Sequence, residues 1–153
     1  MQKFKYFCIT IYNIDMSIVE KQNSIIDEFD LFEDWMQKYE YIIELGKDLP
    51  KIEQENKIDK NLIEGCQSRV WLDSSYNENK MVYSAESDAI ITKGIISLLI
   101  RVLNYEKPDD IVKTDLYFID KIGLKDHLSP TRANGLLSML NRMKYDALLH
   151  INS

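Results

Sequence analysis

Cysteine is almost missing from this chain: 153 residues contain two, Cys8 and Cys66. So few, so far apart, exclude a disulfide framework, and no CxxC pair or Cys/His cluster spells out a metal site. Such usage fits a reducing, cytoplasmic compartment best. Histidine is equally scarce, and neither His127 nor His150 is tied by its position to a cysteine, which leaves a Cys–His hydrolase without a base. With 5 glycines and 3 prolines the chain has no phosphate-cradling loop, no GxSxG elbow and no low-complexity linker. Its most apolar stretch, within "SDAIITKGIISLLIRVLN", falls short of the ~20 residues that span a bilayer. Positive charge is not in excess either. A formal net charge of −6 argues against non-specific nucleic-acid binding, which needs a basic face. Neither a nucleic acid nor a membrane is therefore expected as a partner.

What remains is ordinary for a soluble globular protein: 45% hydrophobic and 29% charged residues, enough for one domain with its own core. Residues 1–15, "MQKFKYFCITIYNID", stand apart as basic and aromatic. They lack the unbroken apolar run and the cleavage site of a signal peptide. They are expected to be an extension, disordered or not translated, before a single domain at 16–153. Cys8 goes with them and is given no role.

From Met16 the pattern is helical. Asn23 or Ser24 is placed to cap one helix and Asp30 the next, with Glu33 as a capping-box partner. Trp35, Tyr39, Ile42, Ile43 and Leu45 share a face, and Gly46 is placed to stop that helix. "KIEQENKIDK" is charged and aperiodic, hence a loop. "RVWLDSS" and "KMVYSAE", joined by "YNEN", read as an antiparallel hairpin, and "NLIEG" as a third strand. A buried helix follows, with Ser87 as cap, Asp88 in its first turn, and Ile90, Ile91, Ile95, Leu98, Leu99 and Val102 inward. Two short helices lead to a last one opened by Ser129 and Pro130. The expectation is an α+β domain, with about three antiparallel strands packed against several helices. Trp35, Tyr39, Tyr41 and Trp71 sit at core-like spacing and read as packing.

Two features stand out for chemistry. Cys66 lies in "NLIEGCQSRVWLD" between a glycine and two polar side chains, just before an apolar run. Gly65 frees the backbone there, and Gln67 and Ser68 offer amide and hydroxyl hydrogen bonds. Backbone N–H groups of a tight turn would favour the thiolate, which a reference pKa of ~8.5 otherwise keeps scarce. The plain alternative is a small, buried, apolar cysteine. The second feature is Arg132, set in the first turn of the last helix, where a cation opposes the helix dipole. It either pairs with an acid such as Asp126 or Asp88, or stands ready for an anion.

"LIEGCQSRVWL" resembles the active loop of the SufE family, the cysteine desulfuration proteins of iron–sulfur cluster assembly. "WMQKYEYIIELGKDLP", "ESDAIITKGIISLLI" and "HLSPTRANGLLSML" are similar to that family's early, central and C-terminal helices. The resemblance runs in register from about Ile25 to Leu140. It departs at Ala85 and Glu86, where the family carries Gly-Asp, and residues 1–15 have no counterpart. The resemblance implies the fold shared by SufE and IscU, and a sulfur carrier rather than a stand-alone enzyme. Cys66 would accept sulfane sulfur as a persulfide from a PLP-dependent cysteine desulfurase of the SufS type, stimulate that enzyme, and pass the sulfur to the SufBCD scaffold. Arg132 would stabilise the anionic sulfur; Gly65, Gln67, Ser68 and Asp88 would support the loop. The PLP would belong to the partner, so no cofactor or metal is expected here. An IscU-like cluster scaffold, and a carrier serving another desulfurase and acceptor, are the alternatives.

Overall fold

The computed structural model describes residues 16–151. Cys8 and the reading of residues 1–15 lie outside them. The chain opens with α1 (Ile18–Phe29) and α2 (Trp35–Gly46), then passes through two 3-10 turns, Gln54–Asn56 and Asp59–Asn61. A hairpin of β1 (Val70–Asn77) and β2 (Lys80–Ser87) follows, then the central helix α3 (Ile90–Leu103). Short helices α4 (Pro108–Lys113), α5 (Phe118–Lys121) and α6 (Leu124–His127) lead to the long α7 (Pro130–Leu148). This is the expected α+β architecture.

The sheet is smaller than expected. Its two strands pair antiparallel from Val70↔Ser87 to Asn77↔Lys80, across a turn in which Glu78 and Asn79 both take positive φ. That geometry matches the right-handed twist of the flanking strands. The segment "NLIEG" makes only an isolated bridge, Leu62↔Trp71, with Ile63 N–H donating to the Val70 carbonyl at 2.8 Å. Here the 3-10 turn on one side and the positive φ of Gly65 on the other leave too few extended residues for a third strand. The outer edge of β2 is closed instead by other segments. Met81 N–H reaches Glu106 O, Ala85 N–H reaches Pro50 O, and Tyr83 N–H reaches the Asn104 side chain.

Helix starts differ from the capping pattern read along the chain. Ser17 caps α1 by accepting from Glu20 N–H at 3.1 Å, so Asn23 and Ser24 fall inside the helix. Asp30 closes α1 rather than opening α2, whose cap is Asp34, accepting from Gln37 N–H at 2.9 Å. Ser, Asn and Asp residues a few positions apart look alike in sequence; burial of Ile18, Ile25 and Phe29 decides between them. Ser129 and Pro130 do open α7.

The core lies between the hairpin, α3 and the helices around them. Val70, Leu72, Met81, Tyr83 and Ala85 of the sheet are buried, as are Ile91, Ile95, Leu98, Leu99 and Val102 of α3. Ile90, expected inward, is 63% exposed because the helix starts at that residue and turns it outward. Trp35, Tyr39 and Tyr41 pack partly buried against the core, as read.

Helices α2 and α3 touch at backbone distance through two glycines. A Cβ on Gly94 would lie 2.1 Å from the Ile42 carbonyl oxygen, and one on Gly46 would lie 2.7 Å from Gly94 N. Gly46 ends its helix as expected, but with an ordinary backbone: Lys47 is the C-cap, and the left-handed glycines are Gly65 and Gly123. Its requirement is therefore space, and it places the start of α3 hard against α2. Gly94→Ala is expected to lower the unfolding free energy by roughly 1–3 kcal/mol or more, the cost of overpacking a tight contact. Denaturant melts check this, and an unchanged midpoint would refute the close approach.

Candidate functional site

Cys66 rides on a loop whose two ends are fixed. On the entry side Ile63 bonds Val70. On the exit side Arg69 O accepts from the Ser87 hydroxyl at 2.8 Å, and Arg69 N–H donates to Asp88 Oδ1 at 3.0 Å. Asp88 N–H returns a bond to Arg69 O at 3.3 Å. Ser87 and Asp88 thus sit just before α3, whose N-cap is Ala89, and serve the loop more than the helix. The Ser87 hydroxyl still accepts from Ala89 N–H at 3.2 Å. Asp88 thus bonds the loop's last residue and lies before the helix, not in its first turn as expected.

Between those anchors the chain turns at Gly65, with φ +88°, a region that disfavours any side chain. A Cβ there would also meet Ser138 Oγ of α7 at 2.6 Å. The next residue, Cys66, is half-buried and packs on the same helix. Its Sγ lies 3.7 Å from the Gly135 carbonyl oxygen, as donor to it. Gly135 gives the thiol its seat: a Cβ at that position would lie 3.6 Å from Sγ.

The thiol faces a cavity of about 90 Å³ whose lining includes Ser68, Ala89, Thr92, Ile95, Arg132 and Met139. Four of the site residues read from sequence, Cys66, Gln67, Ser68 and Arg132, therefore line one cavity. Among the described residues Arg132 forms no ion pair, so neither Asp126 nor Asp88 neutralises it. Its backbone N–H is taken by the Ser129 cap at 3.3 Å.

The Ser68 hydroxyl bonds that of Thr92 at 3.0 Å, while Gln67 is exposed, with no hydrogen bond among the described residues. Nor does the turn favour the thiolate at rest. Burial pushes the Cys66 thiol above its ordinary value, and its nearest polar partner is a carbonyl oxygen, which suits S–H and repels S⁻. His127 is engaged elsewhere, stacked on Trp35 and 2.9 Å from Gly123 O, and His150 stacks on Tyr76. Glu86, one of the family departures, pairs with Lys93 at 2.9 Å. Burial pushes its carboxyl up, but hydrogen bonds from Lys93 and Ser87 N–H, with the Lys93 and Lys57 charges, hold it below the usual range.

Thr92, Gly135 and Met139 escaped the sequence reading. Gly135 carried a signal, since a glycine inside a helix weakens it and marks a close approach. Thr92 and Met139 look like any helix residues until α3 and α7 converge. Among the described residues no three His, Cys, Asp or Glu side chains converge on a metal position. No helix among them is long and apolar enough to cross a membrane.

Fold and site together define a small α+β protein with, among the described residues, one half-buried thiol on a loop that turns at Gly65. The model of the SufE family, described as an Fe–S metabolism associated domain, matches residues 23–147. An uncharacterized SufE-like protein of Rhizobium meliloti is 36% identical over 130 residues, covering 82% of this chain and 93% of that protein. A second, from Rhizobium etli, is 38% identical over 130 residues, covering 82% and 88%. The solution structure of a hypothetical protein from Thermus thermophilus superposes with a TM-score of 0.72 at 18% identity, covering 87% of this chain and 97% of that one. That likeness is one of fold. With the family model spanning most of its length, the chain belongs to the SufE family and is thereby associated with iron–sulfur metabolism.

Raising the thiol pKa in the folded state has a signed consequence. The unfolded chain ionises Cys66 near the reference value of ~8.5, the folded one only at higher pH. The stability this contributes is whole below that value and is lost as pH rises through the folded pKa. Cys66→Ala is expected to flatten that part of the fall in unfolding free energy. Denaturant melts of both proteins on either side of the reference value check it, and parallel pH curves would refute the burial of the thiol.

Proposed function

We propose that this chain is a sulfur carrier that takes sulfane sulfur from a PLP-dependent cysteine desulfurase of the SufS type and delivers it to the SufBCD scaffold. The observation that supports this most directly is the thiol at the tip of a short, glycine-hinged loop beside an unpaired arginine. The reaction is an exchange at sulfur. The Cys66 thiolate attacks the outer sulfur of the donor's persulfide, a new S–S bond forms, the donor's S–S bond breaks, and the donor cysteine leaves as thiolate. Delivery repeats the step with Cys66 as leaving group. The carrier has no need of a cofactor of its own, since the carbon–sulfur cleavage occurs on the partner, and a reducing cytoplasm keeps the thiol free.

The resting geometry suits such a relay. A neutral, seated thiol is a poor target for oxidants. A carrier must then let Cys66 reach the donor's site, and loop support by Ser87 and Asp88 leaves the segment between the anchors free to do so. Arg132 stabilises the negative charge of a persulfide held in the cavity. The SufE-family fold is compatible with a cluster scaffold too, but a scaffold needs several ligands at one point, and the site offers one thiol.

After incubation with desulfurase and free cysteine, the Cys66-containing peptide is expected to gain the mass of one sulfur atom. Cys66→Ser should abolish the gain and keep the fold. An unmodified Cys66 during active donor turnover would overturn the reading. Arg132→Ala is expected to slow transfer by about 10- to 100-fold, the worth of a hydrogen bond to a charged group. Its melting temperature should barely change; loss of folding instead would make Arg132 structural.

A further inference from the structure

The segment from Glu64 to Ser68 is held to the body of the protein by very little. Among the described residues, its hydrogen bonds to the rest are the Cys66 thiol on Gly135 O at 3.7 Å and Ser68 Oγ with Thr92 Oγ1 at 3.0 Å. A thiol is a weak donor, so the hydroxyl pair is the stronger of the two. Thr92 is fixed: it is 6% exposed, in the first turn of α3, and that turn is placed by the glycine contact of α3 with α2. Ser68 is not fixed by anything else on its own side chain. It stands one residue before the Arg69 anchor and two after Cys66.

We infer that the Ser68–Thr92 hydroxyl pair is a latch on the cysteine loop: made, it keeps Cys66 seated on α7; broken, it lets the loop turn on Gly65 and present the thiol. Thr92 is then a positioning residue that acts on Cys66 through Ser68. The meaning of the latch for sulfur transfer rests on the carrier reading above, but the latch itself does not. Ionisation is coupled to it, because closing the loop buries the thiol. Arg132 of α7 is the charged group lining the cavity; the lining from α3 and its N-cap, Ala89, Thr92 and Ile95, carries no charge. Glu64 and Arg69, at the ends of the loop, face solvent. Opening therefore moves Cys66 from a site that disfavours the thiolate to one that does not.

The test is the rate of alkylation of Cys66 by iodoacetamide in the full chain, read on the Cys66-containing peptide by mass spectrometry at a series of pH values. Thr92→Val keeps shape and removes the hydroxyl. It is expected to raise the rate about three- to tenfold below the ordinary thiol pKa, the population shift that follows loss of one hydrogen bond. The midpoint of the pH–rate curve should move down. Thr92→Ser should restore both, and Ser68→Ala should match Thr92→Val with no further gain in the double variant. An unmoved rate and midpoint in Thr92→Val would overturn the latch, as would a Thr92→Ser protein indistinguishable from it. Should Thr92→Val fail to fold, Ser68→Ala gives the same readout from the loop side. Faster alkylation with no persulfide formed from a desulfurase would uphold the latch and sink the carrier; persulfide formation with unmoved alkylation would do the reverse.

Discussion

The closing of a short loop at its base is the constraint from which the site follows. Ile63 pairs with Val70, and Arg69 is held by Ser87 and Asp88, so the residues between them cannot stray far from the hairpin end. A loop that short has a small closure cost and few conformations. Its turn takes a positive φ at Gly65, and beneath it α7 presents Gly135, where even a Cβ would touch the thiol at 3.6 Å. The thiol is half-buried against α7, at the margin of the core.

Electrostatics at the site oppose each other in a useful way. Burial and a facing carbonyl oxygen keep Cys66 protonated at rest, while an unpaired guanidinium lies on the same cavity. The proposed role of that cation begins only once sulfur carries a negative charge. Elsewhere the protein pairs its buried charges closely: Lys21 with Glu106 at 2.8 Å, and Arg101 with Glu28. Arg132 differs: at a helix start, where a cation opposes the dipole, it has no acid partner among the described residues.

Family membership and the site speak to different levels. The match over residues 23–147 and the two rhizobial relatives place the chain in iron–sulfur metabolism. They do not name its donor or acceptor. The Thermus structure extends the likeness to shape alone. The relay rests on the thiol, its hinge and its cavity, and stands or falls with them.

The α+β class, the hairpin, the long last helix with its Ser129–Pro130 start, and the oddity of Cys66 and Arg132 were all legible in the sequence. Each rests on local chemistry: strand formers around a turn, a cap next to proline, a cysteine beside glycine. Local chemistry misplaced the first two helix caps, the third strand and Ile90, because several Ser, Asp and Asn residues offer equivalent caps and only packing selects among them. Tertiary structure alone decided that Gly46 and Gly94 are needed for space, that Gly135 seats the thiol, and that Thr92 meets Ser68. Those are contacts between elements far apart in the chain, and a single helix or loop carries no record of what will be pressed against it.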